Sequence, residues 1–357
     1  MRTALILASL AAQPLLTGCV TEGRGAAVSP SGVAEAAVAA RQRGVCWVAG
    51  REVAAADLEP LRDHHVNWIS QTPFGWQERF DSPEIELVTA GRVYWGEQDR
   101  GLVATARLAR QAGIETLLKP HLWLRDRAGG KWEGDIAMAS EEDWRRWFAS
   151  YREFLLHYAR LAETEGMAGL AVGTELAGTV ATREADWRRL IAEVRQVYSG
   201  FLTYAANWAE FEAVPFWDRL DYIGIQAYFP LSSSPQPTVE ELVAAWEDHL
   251  PRIRRVASRY GKPVLFTEIG YRSIPGAAAR PWSWPQDEPA SASDLAAQAA
   301  CYEAFFRTFW DEPWFAGAYI WKWYPQPSRR IDPATDFTPQ DKPAARVLAR
   351  WYRGDAR

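Results

Sequence analysis

Two glutamates carry the chemical interest of this chain. Glu268 closes Lys-Pro-Val-Leu-Phe-Thr-Glu (262–268), a short apolar stretch of the kind that forms a buried parallel strand. Glu175 closes a second such stretch, Met-Ala-Gly-Leu-Ala-Val-Gly-Thr-Glu (167–175). A charge at the end of a buried strand is costly unless it is paired or used. Two carboxylates at the C-terminal ends of two strands fit glycosidic bond cleavage, provided the strands share a mouth. One carboxyl must be protonated to donate to the leaving oxygen, and the other ionised to attack or to stabilise a cationic sugar. The bland alternative for either glutamate is a buried ion pair with Lys119 or Lys322.

Aromatic residues fit the same chemistry, because an indole offers a flat apolar face to a sugar ring. The chain has 19 tryptophans, many in expected loops: Trp76, Trp95, Trp123, Trp132, Trp208, Trp282, Trp284, Trp321 and Trp323. Trp321 and Trp323 follow the last strand and read as a sugar platform. Trp144, Trp187, Trp246 and Trp310 fall within helical periodicities and read as packing residues.

The elements that must position these groups alternate from Arg43 onward. Strands are expected at 44–50, 66–72, 114–122, 167–174, 201–208, 221–228, 263–268 and 315–323. Helices are expected at 53–64, 98–112, 140–165, 182–198, 238–260, 293–310 and 342–352, with a short one near 211–218. Ser140 and Thr238 stand as N-caps, and Glu241 completes a capping box. Eight strand–helix repeats in one α/β domain predict a (β/α)8 TIM barrel over residues 43–357. A doubly wound sheet would carry a glycine-rich turn after its first strand, and Gly50-Arg51-Glu52 is not one. Side chains two apart share a strand face. Parity and the C-terminal position of active sites in this fold bring Glu175, Asn207, Tyr228, Glu268 and Trp321 to one mouth. Gln226 shares a face with Tyr228.

The strand ends Gly-Thr-Glu-Leu (173–176) and Phe-Thr-Glu-Ile-Gly-Tyr (266–271) resemble those of clan A glycoside hydrolases. With Thr-Pro-Phe-Gly-Trp-Gln (72–77), Lys-Pro-His-Leu-Trp (119–123), Trp-Lys-Trp (321–323) and Lys-Pro-Ala (342–344), the chain is most similar to glycoside hydrolase family 113, the β-mannanase family. The resemblance spans 43–352. It implies a retaining endo-β-glycosidase on mannan or a related polysaccharide. It also implies Glu175 as acid/base, Glu268 as nucleophile, Tyr228 as a hydrogen-bond donor to Glu268, and Trp321 as the floor under the reacting sugar. His121, Trp123, Asn207, Trp208, Gln226 and Trp323 complete the expected substrate-binding set. Thr174 stands where much of the clan has an asparagine that binds the 2-hydroxyl, so Asn207 or His121 is expected to supply that contact. The arginine common on the clan's second strand is not evident around Ser70–Thr72.

Other chemistries find little support. His64, His65, His121, His157 and His249 show no metal-binding spacing, and neither a Gly-x-Ser-x-Gly elbow nor a phosphate loop occurs. No cofactor and no metal are expected. A net charge of −5 without a basic cluster argues against nucleic acid as a partner.

The first residues read as an export signal. Arg2 precedes an apolar run over Ala4–Leu16, too short to span a bilayer, and Leu-Thr-Gly-Cys (16–19) follows. This resembles the lipobox of bacterial lipoproteins. It implies cleavage after residue 18, lipidation of Cys19 and anchoring in the cell envelope. Val20 after the cysteine favours the outer membrane by the same resemblance. Residues 19–42 read as a flexible linker. Cys46 and Cys301 read as buried free thiols. Two rival readings remain: trimming of the cell's own exopolysaccharide, and a non-catalytic sugar-binding or assembly lipoprotein.

Overall fold

The structure, a computed structural model, describes residues 41–91, 93–284, 292–326 and 332–354. The expected signal peptide, Cys19 and the linker up to residue 40 lie outside the described residues. Eight parallel strands close a barrel, which is the predicted (β/α)8 architecture. In chain order they are β1 (Gln42–Trp47), β2 (Trp68–Gln71), β5 (Glu115–Leu118), β7 (Gly169–Thr174), β8 (Phe201–Asn207), β9 (Ile223–Gln226), β10 (Val264–Ile269) and β11 (Phe315–Trp323). β11 returns to pair with β1. The first strand begins at Gln42, inside the stretch read as linker.

Packed on both faces, these strands need apolar side chains throughout, and β7 and β10 are buried at every position. Inside the barrel Cys46, Leu117, Leu265 and Tyr319 pack together. The Tyr319 ring fills the space that a side chain at Gly44 would need, where a Cβ would lie 2.5 Å from the ring. The Tyr319 hydroxyl donates to Gln42 Oε1 at 2.7 Å. Cys46 and Cys301 are both buried free thiols.

The helices are α1 (Glu59–Asp63), α2 (Asp99–Gln111), α3 (Glu141–Glu165), α4 (Ala177–Thr182), α5 (Glu184–Val197), α6 (Val239–Tyr260), α7 (Leu295–Phe309) and α8 (Pro343–Arg353). Ser140 and Thr238 cap α3 and α6 as expected. Trp144, Trp187, Trp246 and Trp310 are all buried. The helix expected over 182–198 is α5, preceded by the unexpected short α4, and much of the helix expected over 53–64 is a 3₁₀ turn at Ala55–Leu58.

The sequence reading missed a second sheet. Strands β3 (Phe74–Gln77), β4 (Ile85–Leu87) and β6 (His121–Leu124) form a three-stranded sheet beside the barrel. The expected third strand, 114–122, breaks into β5 and β6 at Lys119-Pro120, just as β2 and β3 part at Thr72-Pro73. Proline has no N–H for a sheet ladder, so each barrel strand ends there. The chains then pair again one step outward, with His121 N–H donating to Pro73 O at 2.9 Å. Register in this sheet sets Phe74 beside His121 and Trp76 beside Trp123.

Candidate active site

Glu175 follows the last residue of β7. Its N–H donates to Ala205 O on β8 at 2.9 Å, and the next N–H, of Leu176, donates to the hydroxyl of Tyr204 at 2.7 Å. The backbone turns out of the strand at Glu175 with φ +54°, a conformation that non-glycine residues seldom adopt. Such residues persist where the surroundings over-determine them, and they cluster at functional sites. Asn207, at the end of β8, donates from Nδ2 to Glu175 Oε1 at 2.8 Å. Its own Oδ1 accepts from Ala209 N–H at 2.9 Å, which fixes the amide. Burial, reinforced by the charge of Glu268, pushes the Glu175 carboxyl up to about 8 against the opposing Asn207 hydrogen bond and Lys119 charge. Glu175 is therefore protonated at neutral pH.

Glu268, on β10, is 4% exposed. A register shift helps to aim it, because Phe266 faces Ile225 of β9 while Glu268 faces the next residue, Gln226. Tyr228 donates its hydroxyl to Glu268 Oε2 at 2.6 Å. The ammonium of Lys119, itself wholly buried, pairs with Oε1. A buried carboxylate and a buried ammonium each offset the desolvation cost of the other, and removal of either strands a charge. His121 Nε2 stands 3.9 Å from Glu268 Oε1. Burial and the neighbouring Lys119 charge hold the imidazole well below its ordinary range, so it is neutral. Its buried Nε2 makes no hydrogen bond among the described residues.

The two carboxyls thus sit in opposed environments. Glu268 is held by an ammonium and a phenol, whereas Glu175 is held by an amide and kept protonated. That asymmetry is what two-carboxylate catalysis needs, one group donating a proton and the other acting as anion.

The aromatic residues divide. Trp321 is half-buried, with Lys119 Nζ 5.9 Å from its ring centroid and Trp284 edge-on at 6.2 Å. Lys322 is buried among the rings of Trp284, Tyr324 and Trp321, at 4.9, 5.2 and 5.3 Å. Trp208 stacks on Trp282 with centroids 5.5 Å apart and planes 21° apart. Trp123 stands in the side sheet, edge-on to Phe74 at 5.9 Å, with the Arg127 guanidinium 4.1 Å over its ring. That indole face is taken by a cation.

Two expected substrate residues are almost wholly buried. Trp323 is 2% exposed and packs against His64. Parity placed it with Trp321, but β1 and β11 slip by one residue there: Val45 faces Ile320 while Trp47 faces Trp323. The slip turns Trp323 into the wall. Gln226 is also 2% exposed, and its Oε1 accepts from Thr267 Oγ1 at 3.0 Å. It braces β9 against β10. Sequence reasoning in turn underrated Lys119, which it named only as a structural ion-pair partner. The available signal was a lysine at a strand end, two residues before His121.

The sequence model of Glycoside Hydrolase Family 113 matches residues 43–342. Among solved structures, the chain is similar to the GH113 β-mannanase of Alicyclobacillus acidocaldarius in complex with ManMIm. Identity is 32%, the TM-score is 0.75, and the match covers 88% of this chain and 98% of that one. It is also similar to a GH113 β-1,4-mannanase in complex, at 25% identity and TM-score 0.74, covering 88% of this chain and 99% of the other. A comparison with curated proteins found no match. With the family match running from the first barrel strand to the residue before α8, the chain belongs to Glycoside Hydrolase Family 113.

Proposed function

We propose that the protein is a retaining β-mannan hydrolase that works by double displacement. The observation that carries this reading is the opposed setting of the two carboxyls, Glu268 braced by Lys119 and Tyr228, and Glu175 protonated beside Asn207. In the first step a Glu268 oxygen attacks the anomeric carbon and the glycosidic C–O bond breaks. The Glu175 proton passes to the departing oxygen, leaving a covalent glycosyl–Glu268 ester. In the second step water attacks the anomeric carbon, its proton passes to Glu175, and Glu268 leaves as carboxylate. Two inversions give net retention.

His121 is the proposed donor or acceptor for a ring hydroxyl of the reacting sugar, since its buried Nε2 is unpaired beside Glu268. Asn207 acts on Glu175 directly, which leaves the 2-hydroxyl contact to His121. Trp321 is the proposed floor of the same subsite. The GH113 relatives named above are β-mannanases, which supports mannan as the substrate. We propose further that the enzyme is lipidated at Cys19 and held at the cell envelope, on the strength of the Leu-Thr-Gly-Cys sequence.

The test is chemical. Wild-type enzyme is expected to release reducing ends from β-1,4-mannan, with the β-anomer appearing first by NMR. Glu268→Ala is expected to lose turnover by about 10⁴-fold or more, the scale seen when a catalytic nucleophile is removed. Azide should then restore cleavage of an activated aryl mannoside and give the α-mannosyl azide. Full activity in Glu268→Ala, or an α-anomer as first product of the wild type, rejects the mechanism.

A further inference from the structure

Lys322 is a buried charge that the two-carboxylate scheme leaves unused. It is 6% exposed, and among the described residues it makes no ion pair; Lys119 takes the one to Glu268. Its ammonium lies instead among the rings of Trp284, Tyr324 and Trp321. A cation taken out of water is costly unless something answers its charge. Ring faces do so in part, because their quadrupoles attract a cation. Carboxylates further off supply the rest. Burial pulls the Lys322 ammonium below its ordinary range, and the charges of Asp336 and Glu268 oppose this.

The buried groups here carry more positive than negative charge. Lys119, Lys322 and Lys342 are buried, and the buried carboxylates that bear on them are Glu268 and Asp336. Lys342 donates to Ser273 Oγ and to Asp336 O, both at 2.9 Å, so Asp336 answers Lys342 as well as Lys322. β10 and β11 are adjacent strands, with Ile269 facing Ile320. Glu268 and Lys322 therefore leave neighbouring strands at the same end of the barrel. Lys119 and Lys322 also share one indole, since their ammoniums lie 5.9 and 5.3 Å from the Trp321 ring centroid. Both lysines thus lean on the charge of Glu268, one by contact and one through space.

That charge vanishes during turnover. Once Glu268 has formed the glycosyl ester, Lys119 and Lys322 face a neutral group, and Asp336 is the buried carboxylate left beside Lys322. In the second step the bond from the anomeric carbon to Glu268 breaks and its electron pair returns to the carboxylate. Water takes the place of Glu268 and gives its proton to Glu175. We propose that Lys322 is a positioning residue that acts on Glu268 from the next strand, holding positive charge where the carboxylate must reappear and so speeding breakdown of the glycosyl ester. The proposal rests on the hydrolase reading and extends it. Lys119 touches Glu268 and braces it. Lys322 touches rings, so its charge can be removed without loss of a hydrogen bond to the nucleophile.

The test uses full-length protein and 2,4-dinitrophenyl β-mannobioside, whose leaving group makes the first step fast. Wild type, Lys322→Met, Lys322→Gln and Lys322→Arg are compared by stopped flow and by intact-mass analysis of acid-quenched enzyme. In Lys322→Met the steady-state kcat is expected to fall about tenfold, the scale of a partly screened charge interaction across a protein interior, while kcat/KM, which reports the first step, holds or rises. Dinitrophenolate should appear in a burst that approaches the enzyme concentration, and the mannobiosyl ester should accumulate on the Glu268 peptide. Lys322→Gln should behave alike, and Lys322→Arg, which keeps the charge, should return towards wild type. A parallel fall of kcat and kcat/KM without a burst overturns the proposal, because it marks a structural role through Trp321. An unchanged kcat in a neutral variant overturns it too, as does a failure of both neutral variants to fold while Lys322→Arg folds. A wild type that leaves the dinitrophenyl glycoside intact instead rejects the hydrolase reading, and the role of Lys322 with it.

Discussion

At the scale of single residues, the site is an argument about which carboxyl keeps its proton. Glu175 is pushed up to about 8 by burial and by the charge of Glu268. The general acid is competent below that value, so kcat/KM is expected to fall as pH rises through about 8, with the limb lost in Glu175→Gln when an activated fluoride is the substrate. Stability follows the same sign. Between the ordinary carboxyl range and about 8, the unfolded chain ionises Glu175 while the folded chain does not, which favours unfolding as pH rises. Unfolding in urea should therefore show wild type losing stability relative to Glu175→Gln between pH 5 and pH 8. A constant difference across that range would reject the raised value. Lys119 gives a second prediction. It is wholly buried and paired with Glu268, so Lys119→Met strands a carboxylate and should cost about 3–5 kcal/mol, the usual penalty for breaking a buried pair. Adding Glu268→Gln removes the stranded charge and should return part of that loss. Additive losses in the double variant would mean that the pair has no energetic coupling.

Elements place these residues, and here the sequence was partly transparent. Thr238 caps α6 with a reciprocal box: its Oγ1 accepts from Glu241 N–H at 3.2 Å, and its N–H donates to Glu241 Oε2 at 2.7 Å. Thr238→Ala should cost about 1 kcal/mol in denaturant unfolding without changing kcat, because the box lies on an exposed helix start. A loss of several kcal/mol would mean that the cap also supports the barrel. The cap was legible because Thr-x-x-Glu before an amphipathic run has a local cause. The eight barrel strands were legible for the same reason, as was the convergence of Glu175, Asn207, Tyr228 and Glu268. What depends on pairing between distant strands was not legible. The side sheet exists because two prolines end neighbouring strands at matching points, and no single window reveals that match. Trp323 was misplaced because parity assumes an unbroken ladder, and the slip between β1 and β11 is a property of the pair. The role of Lys119 was hidden similarly. Its distance to Glu268 is set by barrel closure, not by sequence separation.

For the whole molecule, the question is where a glycoside hydrolase of this kind does its work, and the N-terminal sequence makes that testable. A barrel with a formal charge of −5 has no broad electrostatic reason to sit on an anionic membrane, so attachment would have to be hydrophobic. Lipidation would provide it. Each buried methylene contributes about 0.8 kcal/mol and one acyl chain gives only reversible binding, so lasting attachment requires two or more chains. The Leu-Thr-Gly-Cys sequence at 16–19 offers a thiol and, after cleavage, an α-amine on the same residue, which is enough for several chains on Cys19. We therefore expect the envelope-purified protein to begin at Cys19, and mass spectrometry of its first peptide to show the added mass of acyl chains. An alkyne-tagged fatty acid fed to the cells should label wild type and fail to label Cys19→Ala. An unmodified N-terminus beginning downstream of Cys19 would mean that the leader is an ordinary export signal and that the enzyme is released.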